Sequence, residues 1–330
     1  MINKKQNVID IEIDRIEVPI AGLPTFISIN SSSENSEFKP VTSTVAKKSP
    51  NRFLTTNDKD FFFSNETIDT IPSGFYNIKF SNERGVYAKK SEIVTDNILV
   101  LPNMPHKKIL SDIENFWSKE NMFKKYDLVF KRGILLYGTP GGGKSSMIQL
   151  LVKDIISRNG IAFELTGPDY YSTYIKLFRE VEPDRPVLVI IEDIDEIINE
   201  YGEKEITNIL DGINQVSKVV YLATTNNLPK LDDKIKKRPS RFDRVIEIKK
   251  PEDIDREFYF LNKIEKEDIK KMDIDINKWV KDTEGLTISH LKELIISVVI
   301  MGNNYEETVE VLKTMKAGYT GNIGFTNRNN

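Results

Sequence analysis

The stretch Gly133-Ile-Leu-Leu-Tyr-Gly-Thr-Pro-Gly-Gly-Gly-Lys144-Ser145-Ser146 constrains the fold more than any other part of the chain. Gly138, then Gly143, Lys144 and Ser145 complete a G-x-x-x-x-G-K-[ST] pattern, directly after the apolar run Ile134 to Tyr137, which reads as a buried strand. A strand turning through glycines into a helix is a geometry that wraps phosphates. Gly138, Gly141, Gly142 and Gly143 let backbone N–H groups curl inward, and a helix starting near Ser145 aims its positive end at them. The candidate cofactor-binding residues are therefore Gly138, Thr139, Pro140, Gly141, Gly142, Gly143, Lys144, Ser145 and Ser146. Lys144 is placed to reach the β- and γ-phosphates of ATP, and Ser145 to bind Mg²⁺ through its hydroxyl. The competing reading is a glycine-rich turn with no ligand.

A second constellation supports the first. The apolar run Val187-Leu-Val-Ile-Ile191 leads into Glu192-Asp193-Ile194-Asp195. Acids following a strand sit at the carboxyl end of the sheet, beside the glycine loop, where a metal ion and an attacking water belong. Acids in that position are also ordinary helix N-caps; with the glycine loop upstream, the metal-and-base reading is preferred.

Around these motifs the chain divides by pattern. Residues 1–104 read as a separate, mostly β domain with short runs at Thr25 to Ile29, Phe75 to Phe80 and Gly85 to Lys89, the last two joined by a hairpin at Ser81 to Gly85. Phe61, Phe62 and Phe63 are either packed strand residues or an exposed docking patch. Between residues 105 and 250, continuous apolar strands alternate with amphipathic helices, which calls for an α/β three-layer parallel sheet covered on both faces. Leu128 and Phe130, ahead of the first of these strands, are candidate adenine contacts. Residues 251–316 read as a helical lid, and the Gly/Asn/Thr-rich residues 317–330 as a flexible tail.

Composition excludes several chemistries. At 330 residues, 39% hydrophobic and 29% charged, the chain has an ordinary soluble composition and room for two or three domains. A net charge of −3 and a pI near 5.7 offer no general attraction to nucleic acid or to an anionic membrane. The absence of cysteine rules out disulfides, thiolate metal sites and a cysteine nucleophile. The N-terminal residues lack a signal peptide's apolar core and no run reaches the roughly 18 residues of a membrane span, so a cytoplasmic protein that uses no membrane is expected.

Farther on, Ala223-Thr-Thr-Asn226 is followed by Leu231-Asp-Asp-Lys-Ile-Lys-Lys-Arg238-Pro-Ser-Arg241-Phe-Asp-Arg244. From about residue 105 to 315 the chain resembles the AAA family of ATPases, whose second region of homology reads T-N, Leu-Asp and R-P-G-R-F-D; Ser240 stands here in place of the glycine. Within the family it is most similar to the mitochondrial complex III assembly chaperones. That similarity rests on Leu99-Val-Leu-Pro102, Lys131 to Gly138, Gly143 to Ser146, Glu192 to Asp195 and Leu210-Asp-Gly212. That subgroup has a transmembrane anchor, and no such segment is found here.

The resemblance implies a P-loop ATPase that hydrolyses MgATP, assembles into a homo-oligomeric ring (hexamer or heptamer) and remodels a macromolecule, with a protein client captured through residues 1–104. A nucleic-acid-associated ATPase such as a helicase loader is the alternative. Asn226 becomes the sensor that positions water, and Arg238 and Arg241 become arginine fingers for a neighbouring subunit; otherwise they belong to an ordinary solvated basic loop. Most of the family writes Asp then Glu at the acidic pair. With the order reversed, Glu192 takes the metal side and Asp193 the general-base role. Tyr170 and Tyr171 either line a central pore or pack, and His290 either approaches the nucleotide or lies at the surface.

Overall fold

The computed structural model describes residues 52–55, 61–64, 70–82, 85–92, 98–212 and 215–317. All belong to one compact unit, Ala46–Asn330. Arg52–Thr55 (β1) and Phe61–Ser64 (β2) pair antiparallel, so the three phenylalanines do lie on a strand. Gly74–Ser81 (β3) and Gly85–Ser91 (β4) form the expected hairpin. Then come helices His106–Trp117 (α1) and Glu120–Lys125 (α2), strand Lys131–Tyr137 (β5), helix Lys144–Ser157 (α3), strand Ile161–Glu164 (β6) and helix Pro168–Val181 (α4). Strand Val187–Ile191 (β7), helices Ile194–Tyr201 (α5) and Glu203–Asp211 (α6), strand Val219–Thr225 (β8), helix Asp233–Lys236 (α7) and strand Arg244–Glu247 (β9) follow.

The strands from β3 to β9 make one sheet in the order β4-β3-β6-β7-β8-β5-β9. Only the β3–β4 pairing is antiparallel. Residues 74–91 therefore do not belong to a separate β domain ending at 104. Phe75 to Asn77 pair in parallel register with Ala162 to Glu164, extending the central sheet by two strands. The alternating pattern identifies the strands but carries no record of their partner, and β6 offered a free edge. Thr25 to Ile29 and the tail from 318 lie outside the described residues.

The middle strands explain the layering. All residues of β7 and β8 are buried, as expected of parallel strands covered on both faces. Because side chains alternate, Leu188, Ile190, Val220 and Leu222 join one core with α1, α3 and the C-terminal helices. Val187, Val189, Ile191, Val219 and Tyr221 join a second core with α4 and α6. Close backbone approach fixes Gly133 within β5: a Cβ there would lie 1.9 Å from the Arg241 carbonyl oxygen. The Asp243 carboxylate accepts from Gly133 N–H at 2.9 Å, and Asp243 N–H donates back to the Gly133 carbonyl at 2.9 Å.

Helices Asp253–Lys263 (α8), Lys266–Lys271 (α9), Ile276–Asp282 (α10), Ile288–Ile295 (α11) and Tyr305–Ala317 (α12) make up the C-terminal helical part, α11 running on through a π-helical turn at Ile296–Ile300. Buried Arg256 ties α8 to α10 by donating to the Pro251 and Val280 carbonyls at 2.8 and 3.1 Å. The segment before α1 is fastened to the start of α8. Asn103 N–H donates to Asp255 Oδ1 at 2.8 Å, and its side chain donates to Glu252.

At this junction His106 is 2% exposed, and neither ring nitrogen has a hydrogen-bond partner. Burial holds its imidazole below the usual histidine range, with the Asp255 charge pulling the other way. A proton is therefore bound more readily in the unfolded chain, so stability falls as pH drops below about 6.5. His106→Leu is expected to remove the orphaned nitrogens, raise stability by about 1–3 kcal/mol and flatten that acid slope, read from thermal melts between about pH 5 and 8.

Candidate active site

The site is assembled at the carboxyl ends of β5, β7 and β8. After β5 the chain turns through Gly138, Gly141 (φ +73°) and Gly143 (φ +108°) into α3. All three glycines, Gly138 included at φ +155°, sit where an L side chain is strained, and at Gly141 a Cβ would also lie 2.7 Å from Ser289 Oγ at the start of α11. The cleft above holds about 250 Å³, and its walls are the glycine loop, Glu192, Asp193, Thr224, Asn226 and the start of α11. Glycine loop, acidic pair and Asn226 are thus brought together as the motifs imply.

Lys144 is the centre of the arrangement. Only 8% exposed, it donates to the Gly138 and Thr139 carbonyls at 2.7 and 3.1 Å and to Asn226 Oδ1 at 2.7 Å. Burial lowers its pKa, opposed by the Asp193 charge. Asn226 passes the contact on, its Nδ2 donating to Asp193 Oδ1 at 3.0 Å. A hydrogen-bonded chain therefore runs ammonium, amide, carboxylate along the wall of the cleft.

Asp193 does occupy the N-cap position of α5, with φ +45°, but its side chain caps nothing and turns to Asn226. A non-glycine residue held in the left-handed region costs on the order of 1–3 kcal/mol and is a feature of functional sites. The strained turn is held by Thr224, whose hydroxyl accepts from Asp193 N–H at 3.1 Å. Thr225 donates to Asp195 Oδ1 at 2.7 Å, so the last acid of the motif secures the end of β8. The sequence signal for these threonines is a polar pair closing an otherwise apolar strand.

Glu192 opens to the cleft, yet desolvation by its walls raises its carboxyl pKa, with smaller contributions from Glu164 and Asp193. The donor set fits a triphosphate with a divalent cation: a buried ammonium, a glycine cradle at a helix start, a serine hydroxyl and a carboxylate. The start of α11 is joined to the loop by Ser289 N–H donating to the Gly141 carbonyl at 3.2 Å.

Other candidates separate. Arg238 and Arg241 do not line the cleft; both meet Asp211. Tyr171 is buried in the core with its hydroxyl 3.4 Å from that of Tyr221, whereas Tyr170 is 43% exposed and stacks on Phe80 at 5.2 Å. His290 Nδ1 lies 2.6 Å from Thr287 Oγ1 and caps α11. Phe130 does not touch the nucleotide cleft as an adenine contact. It is buried among Phe116, Trp117 and Phe123 at the start of β5, on the order of 20 Å from the loop at the strand's other end. Leu128, also at that end, is exposed.

Residues 134–250 match the family model described as "ATPase family associated with various cellular activities (AAA)". Among similar proteins, a putative cell division cycle ATPase of Plasmodium falciparum is 27% identical over 199 residues, covering 54% of this chain and 16% of that protein. The ATP-dependent zinc metalloprotease FtsH of Ureaplasma parvum is 28% identical over 199 residues, 54% of this chain and 24% of its own length. The ATPase family gene 2 protein of Saccharomyces cerevisiae is 30% identical over 172 residues, 46% of this chain and 21% of its own. The chain thus spans about a quarter or less of these relatives.

The raised Glu192 pKa has a measurable consequence. A carboxyl with a folded-state pKa above its unfolded value costs stability once ionised, and that cost disappears as pH falls to the unfolded pKa. Glu192→Gln is expected to raise the melting temperature of the nucleotide-free protein at neutral pH, and the difference should close toward about pH 4.3.

Proposed function

We propose that this chain, whose residues 134–250 form an AAA-family ATPase domain, hydrolyses MgATP as a homo-oligomeric ring and uses the cycle to remodel a macromolecule, most readily a protein. The observation carrying this reading is the Lys144–Asn226–Asp193 chain across the cleft. It joins the phosphate-binding lysine to a carboxylate through an amide able to contact both a γ-phosphate and a water. The backbone N–H groups of the loop and Lys144 would hold the β- and γ-phosphates, and Ser145 and Glu192 would hold Mg²⁺, which when bound would neutralise charge on the phosphates. Asp193, oriented by Asn226, accepts the proton of the attacking water. Phosphoryl transfer of this kind depends on positioning and charge, with no covalent enzyme intermediate.

The reversed acidic pair is consistent with this division. Asp193 is bonded to Asn226, and Glu192 lines the same cleft. A protein client is supported by one relative, named an ATP-dependent protease, and by exposed Tyr170, stacked on Phe80 where α4 begins. Similarity to the complex III assembly chaperones extends to the Glu-Asp-Ile-Asp order. Among the described residues no helix is long and apolar enough to cross a membrane.

Lys144→Ala is expected to abolish ATP binding, and Asp193→Asn to bind ATP while reducing phosphate release by about 10²- to 10⁴-fold. Nucleotide binding by fluorescence and steady-state phosphate release check both, and light scattering of the Asp193→Asn protein in saturating ATP reads the ring. Wild-type turnover by Lys144→Ala, or monomers whatever the nucleotide, would overturn the reading.

A further inference from the structure

Between α7 and β9 the run Lys236-Lys237-Arg238-Pro239-Ser240-Arg241 sets a hydroxyl among basic residues, at the position where the resemblance leads one to expect glycine. Glycine accepts no side-chain modification; serine does. Ser240 is exposed and lies in a turn outside any helix or strand. Just upstream, the side chains of Lys237 and Arg238 are 70% and 59% exposed. Lys237 meets Asp233 at 2.8 Å, a surface pair that costs little to break. Lys236, by contrast, is fixed on the Leu231 carbonyl at 2.8 Å.

The hydroxyl itself sits against a charged group. Asp211 Oδ2, at the end of α6, accepts from Ser240 Oγ at 3.0 Å and from Arg241 Nε at 3.1 Å, and Arg238 Nε lies 3.3 Å away. Arg241 also donates to the Lys234 carbonyl at 2.9 Å. Its side chain is 8% exposed, as is that of Asp211. Separating that buried pair would leave both charges uncompensated, so Arg241 stays on Asp211 while exposed Arg238 is free to turn away.

We propose that Ser240 is a phosphorylation site for a basophilic serine/threonine kinase, which reads Lys237 and Arg238. Ser240 Oγ attacks the γ-phosphorus of ATP held by that kinase. The Oγ–P bond forms as the bond to the β–γ bridging oxygen breaks, ADP leaves, and the hydroxyl proton passes to the kinase's carboxylate base. The resulting phosphate no longer donates to Asp211 and is repelled by it, while its three oxygens suit a guanidinium. Arg238 therefore changes partner, from Asp211 to the phosphate. Neither a ring nor a second copy is needed for this, and none of these residues lines the nucleotide cleft.

The test incubates the full-length protein with MgATP and the catalytic subunit of cAMP-dependent protein kinase, and peptide mass spectrometry locates the phosphate. Stoichiometric modification of Ser240 in the folded protein is expected, with Lys237→Ala and Arg238→Gln each slowing it by about tenfold or more. Both proteins are then driven to completion with excess kinase and titrated by phosphorus NMR. The phosphoserine's second ionisation, ordinarily near about 6, should lie lower in the wild type than in Arg238→Gln. The charged groups around the loop are Lys237, Arg238, Arg241, Asp211, Asp233 and Glu203, and Arg238 alone differs between the two proteins.

Modification of other serines alone, or of Ser240 only after heat denaturation, overturns the site. Rates unchanged by both Lys237→Ala and Arg238→Gln overturn recognition through the basic pair. An ionisation that Arg238→Gln does not move overturns the change of partner.

Discussion

Burial on both faces of β7 and β8 is the constraint from which the rest follows. A strand with no solvent face has no lateral position for a charged group, so polar chemistry is pushed to the strand ends. There Glu192, Asp193, Thr224, Thr225 and Asn226 lie beside the glycine turn that follows β5. The same rule divides the apolar residues: odd and even positions feed opposite cores, and each core needs its own layer of helices. The site is thus located by the packing requirement of the sheet before any of its residues is considered.

Within the site, electrostatics and backbone geometry reinforce each other. Lys144 is buried and its charge is disfavoured by desolvation, which is tolerable because two carbonyls and an amide oxygen surround it. Asp193 sits in a strained backbone conformation secured by Thr224, and its carboxylate completes the chain from the ammonium. Neighbouring groups of opposite charge, separated by one amide, are held ready without forming a direct ion pair that a phosphate would have to break.

Much of this was legible from residue patterns. The glycine loop, the apolar strands Ile134 to Tyr137 and Val187 to Ile191, and the helical character after residue 251 have local signatures. What escaped depended on partners distant in the chain. The Phe75 to Phe80 strand was readable, but its pairing with β6 was not, because alternation specifies a strand and leaves its neighbour open. Helix α5 is short and starts in the acidic motif, where the residues were claimed by chemistry first. Tyr170 and Tyr171 are adjacent and chemically identical; only the helix phase, set by packing on Tyr221, sends one inward. Arg238 and Arg241 share a motif, and their separation depends on Asp211 in another element.

The β3–β4 hairpin bears on how the molecule can be divided. With β3 in place, β6 is an interior strand, and the outermost edge is β4, which carries Lys89 and Lys90. Lysines on an outer strand discourage pairing with other chains. A fragment beginning at the helix before the glycine loop would strip that guard and leave the unpaired main-chain groups of β6, flanked by buried Ile161, Ala162 and Phe163, open to any strand in solution. The minimal folding unit is consequently larger than the 134–250 segment that matches the family model, and its left margin is defined by a sticky seam that the hairpin covers.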